Sequence, residues 1–178
     1  MYFNTKELSA IAISATIWAV INAIVGPGFW NMTHLPILCD MLGLATLSLT
    51  VWWVRKPGAV AMVGVIATVI SLILNPCGLQ FFGFTGASLV FEILTFLLGY
   101  DRLLKGGISG WVTLLLVSFV SASVAGVIIG SFFMAQAFLM SAFGGIAFFA
   151  ALHGVGGLVG GVFGVIIVQG LEKRNVAV

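Results

Sequence analysis

The sequence predicts an all-α integral membrane protein, a bundle of six transmembrane helices, and three observations point there. Of 178 residues, 61% are hydrophobic and only 7% are charged, where a soluble domain carries about 25% charged residues. The mean hydropathy of +1.24 is too apolar for a surface facing water. A span needs about 20 apolar residues, so six spans use about 120 and leave only short loops. The apolar stretches have helical length, and the short alternating segments of a β-barrel are missing. This composition excludes a soluble enzyme, a nucleic-acid binder and a disordered chain. Residues 1–178 read as a single transmembrane domain.

The first span is expected over about 8–25, ending at Gly26-Pro27-Gly28. No Ala-x-Ala site follows it, so it reads as a helix that stays in place rather than as a signal peptide. The second, 36–54, opens at Pro36, whose missing N–H is harmless in a first helical turn. The third, 58–74, stops at the turn signal Asn75-Pro76-Cys77-Gly78. The fourth has its core at 87–99, the fifth covers 111–133 and the sixth 146–170.

The seven basic residues set an orientation. Lys6, Arg55, Lys56, Arg102, Lys105, Lys173 and Arg174 all fall at the N-terminus, in the even-numbered connections or at the C-terminus. The positive-inside rule then puts both termini in the cytoplasm, as in a multi-pass protein of the cell membrane. The three outer connections hold no Lys or Arg and are aromatic. They carry Trp30, Asn31 and His34, then Gln80, Phe81 and Phe84, then Phe132, Phe133 and Gln136. They read either as an interfacial aromatic belt or as a lid of aromatic and amide groups over a ligand site.

Ten of the twelve charges sit at the cytoplasmic boundary; Asp40 and Glu92 do not. Each follows the expected outer start of its helix by about five residues, a depth of about 8 Å. Asn22, Asn75 and His153 fall in the same outer half. Intramembrane carboxylates are costly unless they face a partner or a cavity, so they mark function by default. Asp40 has a local alternative, capping backbone or pairing with His34. Glu92 has no basic residue on its side, which leaves a ligand cation or a proton as its partner. No metal site is expected, because His34 and His153 are far apart and no ligand cluster accompanies them. Cys39 and Cys77 both fall toward the outer side, where a disulfide is conceivable, although cysteines without a spacing motif more often act as small apolar residues.

Small residues mark packing seams. Gly156, Gly160 and Gly164 on the sixth helix, with Gly157 and Gly161 one step round, suit internal packing. Ala15, Ala19 and Ala23 form a stripe on the first helix that reaches the cytoplasmic half and is open to a partner subunit.

Taken together, six short helices, the alanine stripe and an outward polar pocket resemble the substrate-binding (S) subunits of energy-coupling factor (ECF) transporters. Arg55-Lys56-Pro57-Gly58-Ala59 and Asn75-Pro76-Cys77-Gly78, with Glu92 beyond them, resemble segments of the YkoE type, associated with uptake of thiamine or its hydroxymethylpyrimidine precursor. The resemblance implies a subunit that captures a small vitamin outside and docks on a transmembrane coupling subunit driven by two ATPase subunits. It implies docking through Ala15, Ala19 and Ala23, with Glu92 balancing a thiazolium. Trp30, Phe81 and Phe84 would stack on the ligand, and Asn31, His34, Asn75 and Gln80 would hydrogen-bond to it. Asp40 and His153 complete the expected substrate site. The chain has no phosphate-binding G-x-x-x-x-G-K-[ST] loop, so ATP hydrolysis falls to separate chains, and neither a cofactor nor a catalytic residue is expected.

Two other classes fit parts of the pattern. Gly86-Ala87-Ser88 and His153 fall on the fourth and sixth helices, where a rhomboid-like intramembrane protease carries its Ser nucleophile and His base. The glycine faces alone would suit a structural assembly subunit.

Overall fold

The computed structural model describes residues 2–104 and 107–174. Lys105, one of the seven basic residues of the charge pattern, lies outside the described residues. Among the described residues eight α-helices follow one another: α1 (Thr5–Thr33), α2 (Ile37–Val54), α3 (Ala59–Leu74), α4 (Phe82–Leu98), α5 (Tyr100–Leu104), α6 (Ile108–Ile128), α7 (Gln136–Phe143) and α8 (Ile146–Lys173). No strand occurs among the described residues. A 3-10 turn at Leu79–Phe81 leads into α4, and α6 continues as a π-helical turn at Ile129–Phe133. Five of these elements are long and apolar enough to cross a membrane; α3, at 16 residues, is shorter.

The first helix starts where the side chains satisfy its open N–H groups. Asn4 accepts from the Glu7 N–H and the Glu7 carboxylate accepts from the Asn4 N–H, each at 2.9 Å, a reciprocal capping box. The helix does not stop at Gly26-Pro27-Gly28 as the sequence suggested. It runs through Pro27 to Thr33 and ends at His34, whose left-handed backbone (φ 54°) lets its N–H bond the Trp30 carbonyl at 2.7 Å. Pro27 deprives only the Ala23 carbonyl of a partner, and an apolar environment favours keeping all the other helical bonds. Helix α4 likewise begins five residues before the expected Ala87, because Gly83, Phe84 and the preceding turn pack into the bundle.

Helix α8 lies between α2 and α6, α1 packs on α2 and α3, and α3 and α6 flank α4. The α8 seams are built by its glycines. A Cβ on Gly156 would lie 3.0 Å from the Ile37 Cα, on Gly160 2.6 Å from the Met41 carbonyl oxygen, and on Gly164 2.6 Å from the Ser48 Cβ, all on α2. One step round, Gly157 faces the Ser118 carbonyl oxygen at 2.6 Å, and Gly161 faces the Ser118 hydroxyl of α6. Two glycine faces therefore bring three backbones to close range, the packing that stabilises helices among apolar solvent.

One charge pair and one hydrogen bond to a carboxylate tie one end of the bundle. Lys56 meets Glu7 at 2.8 Å and the Trp52 indole donates to Glu172 at 3.0 Å. Arg55, Lys56 and Lys173 sit at this end, at the close of α2, the turn into α3 and the close of α8. The opposite end holds the α1–α2 and α3–α4 connections and the α6–α7–α8 segment.

Candidate functional site

At the end away from the basic residues the helices separate around a cavity of about 460 Å³, within the 300–1,000 Å³ range of small-molecule sites. Its floor is polar and buried. Asn22 is 3% exposed, Asp40 8% and His153 4%. The His153 Nδ1 lies 3.0 Å from Asp40 Oδ1 and 2.9 Å from Oδ2. This pair joins α2 to α8, and two glycines make room for it. A Cβ on Gly156 would sit 2.8 Å from the Asp40 Cβ, and one on Gly126 of α6 would sit 2.8 Å from the His153 Cδ2.

The walls are aromatic. Trp18 and Phe84 stack with centroids 3.8 Å apart and planes 8° apart, and Phe81 meets Trp18 edge-on at 6.0 Å. Such pairs contribute about 0.5–1.5 kcal/mol beyond burial. The Trp18 indole N–H is taken by the Cys39 carbonyl at 3.3 Å, so this ring offers the cavity a face rather than a donor. Phe149 packs edge-on to the His153 ring at 4.7 Å. Toward the mouth stand Trp30, Phe133 and Phe138, with the amides of Asn31, Asn75 and Gln80. The mouth's far wall is the π-turn and α7, held by Gln136, whose side-chain amide donates to the Gly130 carbonyl at 3.1 Å.

Of the residues expected in a substrate site, Trp30, Asn31, Asp40, Asn75, Gln80, Phe81, Phe84 and His153 line this one cavity. His34 stands beside it, its ring 5.8 Å from Trp30 and 6.2 Å from Phe138. Asp40 pairs with His153, not with His34. Cys39 and Cys77 are both free thiols.

Glu92 is elsewhere. Its Oε2 accepts from the N–H groups of Val60 and Ala61, at 2.7 and 3.1 Å, and its Oε1 accepts from the Tyr100 hydroxyl at 3.0 Å. Because α4 starts at Phe82, Glu92 lies ten residues along it, about 15 Å from the outer end. There it caps the first turn of α3 from a neighbouring helix, where open N–H groups and the helix dipole favour an anion. A ligand cation is not needed to satisfy it, so Glu92 is not placed to be the counter-ion that the sequence suggested. Burial, helped by the Glu92 carboxylate, raises the Tyr100 hydroxyl above its ordinary value, which keeps it a donor.

The alanine stripe is also reassigned. Ala15 and Ala19 are 0% exposed, packed inside the bundle, and Ala23 is half-buried; α1 presents Ile13, Ile17, Ile21 and Ile24 outward instead. A docking face made of buried methyl groups is not available to a partner. Ser88 and His153 do not form a nucleophile and base. The Ser88 hydroxyl donates to the Thr85 carbonyl at 2.8 Å and faces Gly64 of α3, while His153 is engaged by Asp40.

Trp18, Asn22 and Gly26 are cavity residues that were not expected in the site. Their signal is in the sequence: with Trp30 they recur every four residues, which puts all four on one helix face. Phe149 carries no such signal. Comparison with protein-family models, with curated proteins and with solved structures finds no match for this chain. Fold and site together define an all-α protein of long apolar helices holding a ligand-sized cavity at one end.

Proposed function

We propose that the chain is a membrane-embedded substrate-binding subunit of the ECF importer kind, capturing a small vitamin such as thiamine or hydroxymethylpyrimidine. The observation that supports this most directly is the cavity itself, with aromatic walls, a mouth of amides and a buried Asp40–His153 floor at the end opposite the basic residues. By the positive-inside rule that end faces outward, the side from which an importer takes its substrate. Flat heteroaromatic rings suit the Trp18–Phe84 and Phe81 surfaces, and Asp40 replaces Glu92 as the carboxylate that meets the ligand. In this reading α3 also crosses the membrane, as the third of six spans. At about 24 Å it is shorter than the hydrocarbon layer, a mismatch that local thinning accommodates. ATP hydrolysis and the inward release step belong to a transmembrane coupling subunit and two ATPase subunits, bound through a surface other than the Ala15/Ala19 stripe.

The test is a calorimetric and thermal-shift screen of the purified protein against thiamine, hydroxymethylpyrimidine, riboflavin, biotin and cobalamin. Binding of one vitamin at submicromolar Kd supports the reading. If none of the five binds more tightly than about 1 µM, vitamin capture is rejected.

A further inference from the structure

We propose that the floor of this cavity is a donor-reading site, selecting ligands that present N–H groups on a flat ring and turning away carboxylates and phosphate esters. The inference rests on the reading of the cavity as the capture site and goes further, because it commits to the charge and the hydrogen-bonding edge of what is captured.

The first observation is the inventory of unused polar atoms. His153 Nδ1 lies between the two Asp40 oxygens; with Asp40 a carboxylate, which can only accept, this nitrogen is the one that donates. In the neutral imidazole the opposite nitrogen, Nε2, is then a lone-pair acceptor. It is buried and has no partner, and the same is true of the Asn22 side-chain oxygen. Asp40 adds a carboxylate with only the imidazole to satisfy its two oxygens. The floor thus offers acceptors from α1, α2 and α8; the Trp18 indole N–H is already committed to Cys39, and the remaining donors are the Asn22 amide N–H groups and, toward the mouth, the Trp30 indole and the amides of Asn31, Asn75 and Gln80. Buried acceptors left open are costly; a ligand that brings N–H donors satisfies them.

The second observation is charge. Among the described residues no Lys or Arg lines the cavity; the described basic side chains cluster at the far end of the bundle. An anionic ligand would enter beside the Asp40 carboxylate with no fixed cation to compensate it, in surroundings of low dielectric where like charges repel most strongly. A cation or a neutral amine gains there, from the carboxylate and from the faces of Trp18, Phe81 and Phe84. The ligand class is therefore a planar amidine-like or amino-substituted ring, free of phosphate. A phosphorylated form of the same ligand is excluded, and loss of the phosphate must precede capture.

The experiment uses the full-length protein in lipid nanodiscs and a matched probe panel: benzamidine, 2-aminopyridine, benzoate and phenyl phosphate. The expected result is that benzamidine and 2-aminopyridine bind at least about tenfold more tightly than the two anions. Asp40→Asn should reduce that preference to within about threefold, and Asn22→Leu should weaken benzamidine by about fivefold or more. Asn22→Leu keeps the side-chain size, so it serves as the second variant if Asp40→Asn fails to fold. Benzoate or phenyl phosphate binding as tightly as benzamidine, a preference that survives in both variants, or no probe bound at all would each overturn the inference. A vitamin that binds while the panel shows no preference removes the donor-reading site and leaves capture standing. The reverse pattern removes vitamin capture and leaves the site.

Discussion

His153 and Asp40, 113 residues apart in the chain, meet as a buried pair, with the imidazole Nδ1 within 3.0 Å of both carboxylate oxygens. The contact fastens α8 to α2 under the cavity. Its energetics follow from burial, since removing one partner leaves the other desolvated and uncompensated. His153→Ala should lower stability by about 3–5 kcal/mol, because it leaves the Asp40 carboxylate buried without its donor. A double-mutant cycle with Asp40→Asn, read by thermal unfolding in detergent, should show a coupling of about 1–3 kcal/mol. Additive effects would mean that the two side chains do not act as a unit.

Gly156 should tolerate no side chain. A methyl group there meets the Asp40 Cβ at 2.8 Å and the Ile37 Cα at 3.0 Å, and backbone cannot step aside as a flexible side chain can. Gly156→Ala is expected to cost about 1–3 kcal/mol and to weaken ligand binding by displacing Asp40. Gly28→Ala is the control, because nothing lies within 4 Å of its Cβ position. In the α1 helix it should be neutral or stabilising by about 0.5–1 kcal/mol. Melting temperatures of the two variants should move in opposite directions or differ by the cost of the clash.

Glu92→Gln separates stability from binding. Glu92 accepts three hydrogen bonds from Val60, Ala61 and Tyr100, so the neutral amide should destabilise the α3 end by about 1–3 kcal/mol. Ligand affinity should be unchanged. A loss of affinity without a loss of stability would return Glu92 to the binding site.

The same contact predicts an alkaline limit. Tyr100 is held above its ordinary value of 10.0, first by burial and then by Glu92. A group whose folded value is raised supports the fold fully below its unfolded value, and the support fades as pH climbs toward the folded one. Stability should therefore decline above about pH 10, and Tyr100→Phe should flatten that decline in a pH series of melting curves.

Ala15→Leu tests the reassigned stripe. At 0% exposure the added carbons have no room, so the isolated subunit should lose about 1–3 kcal/mol of stability. If Ala15 instead formed an open docking face, the isolated protein would melt as the wild type does, and only complex formation would suffer.

What was legible in the sequence was local. Hydropathy and length found six apolar stretches because each is a property of neighbouring residues, and the ends of α2 and α3 fell at Pro36 and at Asn75-Pro76, where backbone chemistry breaks a helix. Rules of the same kind misplaced the ends of α1 and α4. Pro27 removes one hydrogen bond, and a glycine-rich entry weakens a turn, but packing around Trp30 and Phe84 holds both segments helical. Aromatic and amide residues near one end of the helices line one cavity, since topology places Trp30, Asn31, Asn75, Gln80, Phe81 and Phe84 together.

The sequence by itself determined the class of molecule, its helical content and the segregation of its basic residues, because composition and periodicity are written residue by residue. Only the tertiary structure decided what the two intramembrane carboxylates do. Asp40 and Glu92 read alike as carboxylates at equal depth on apolar helices, with His34 a candidate partner for Asp40 alone. A carboxylate's role depends on which donors surround it in space: Gly156 and Gly126 bring His153 to Asp40 above the bundle's middle, whereas the turn of α4 delivers Glu92 to the open N–H groups of α3. One carboxylate was left facing the cavity, and the other became part of the frame.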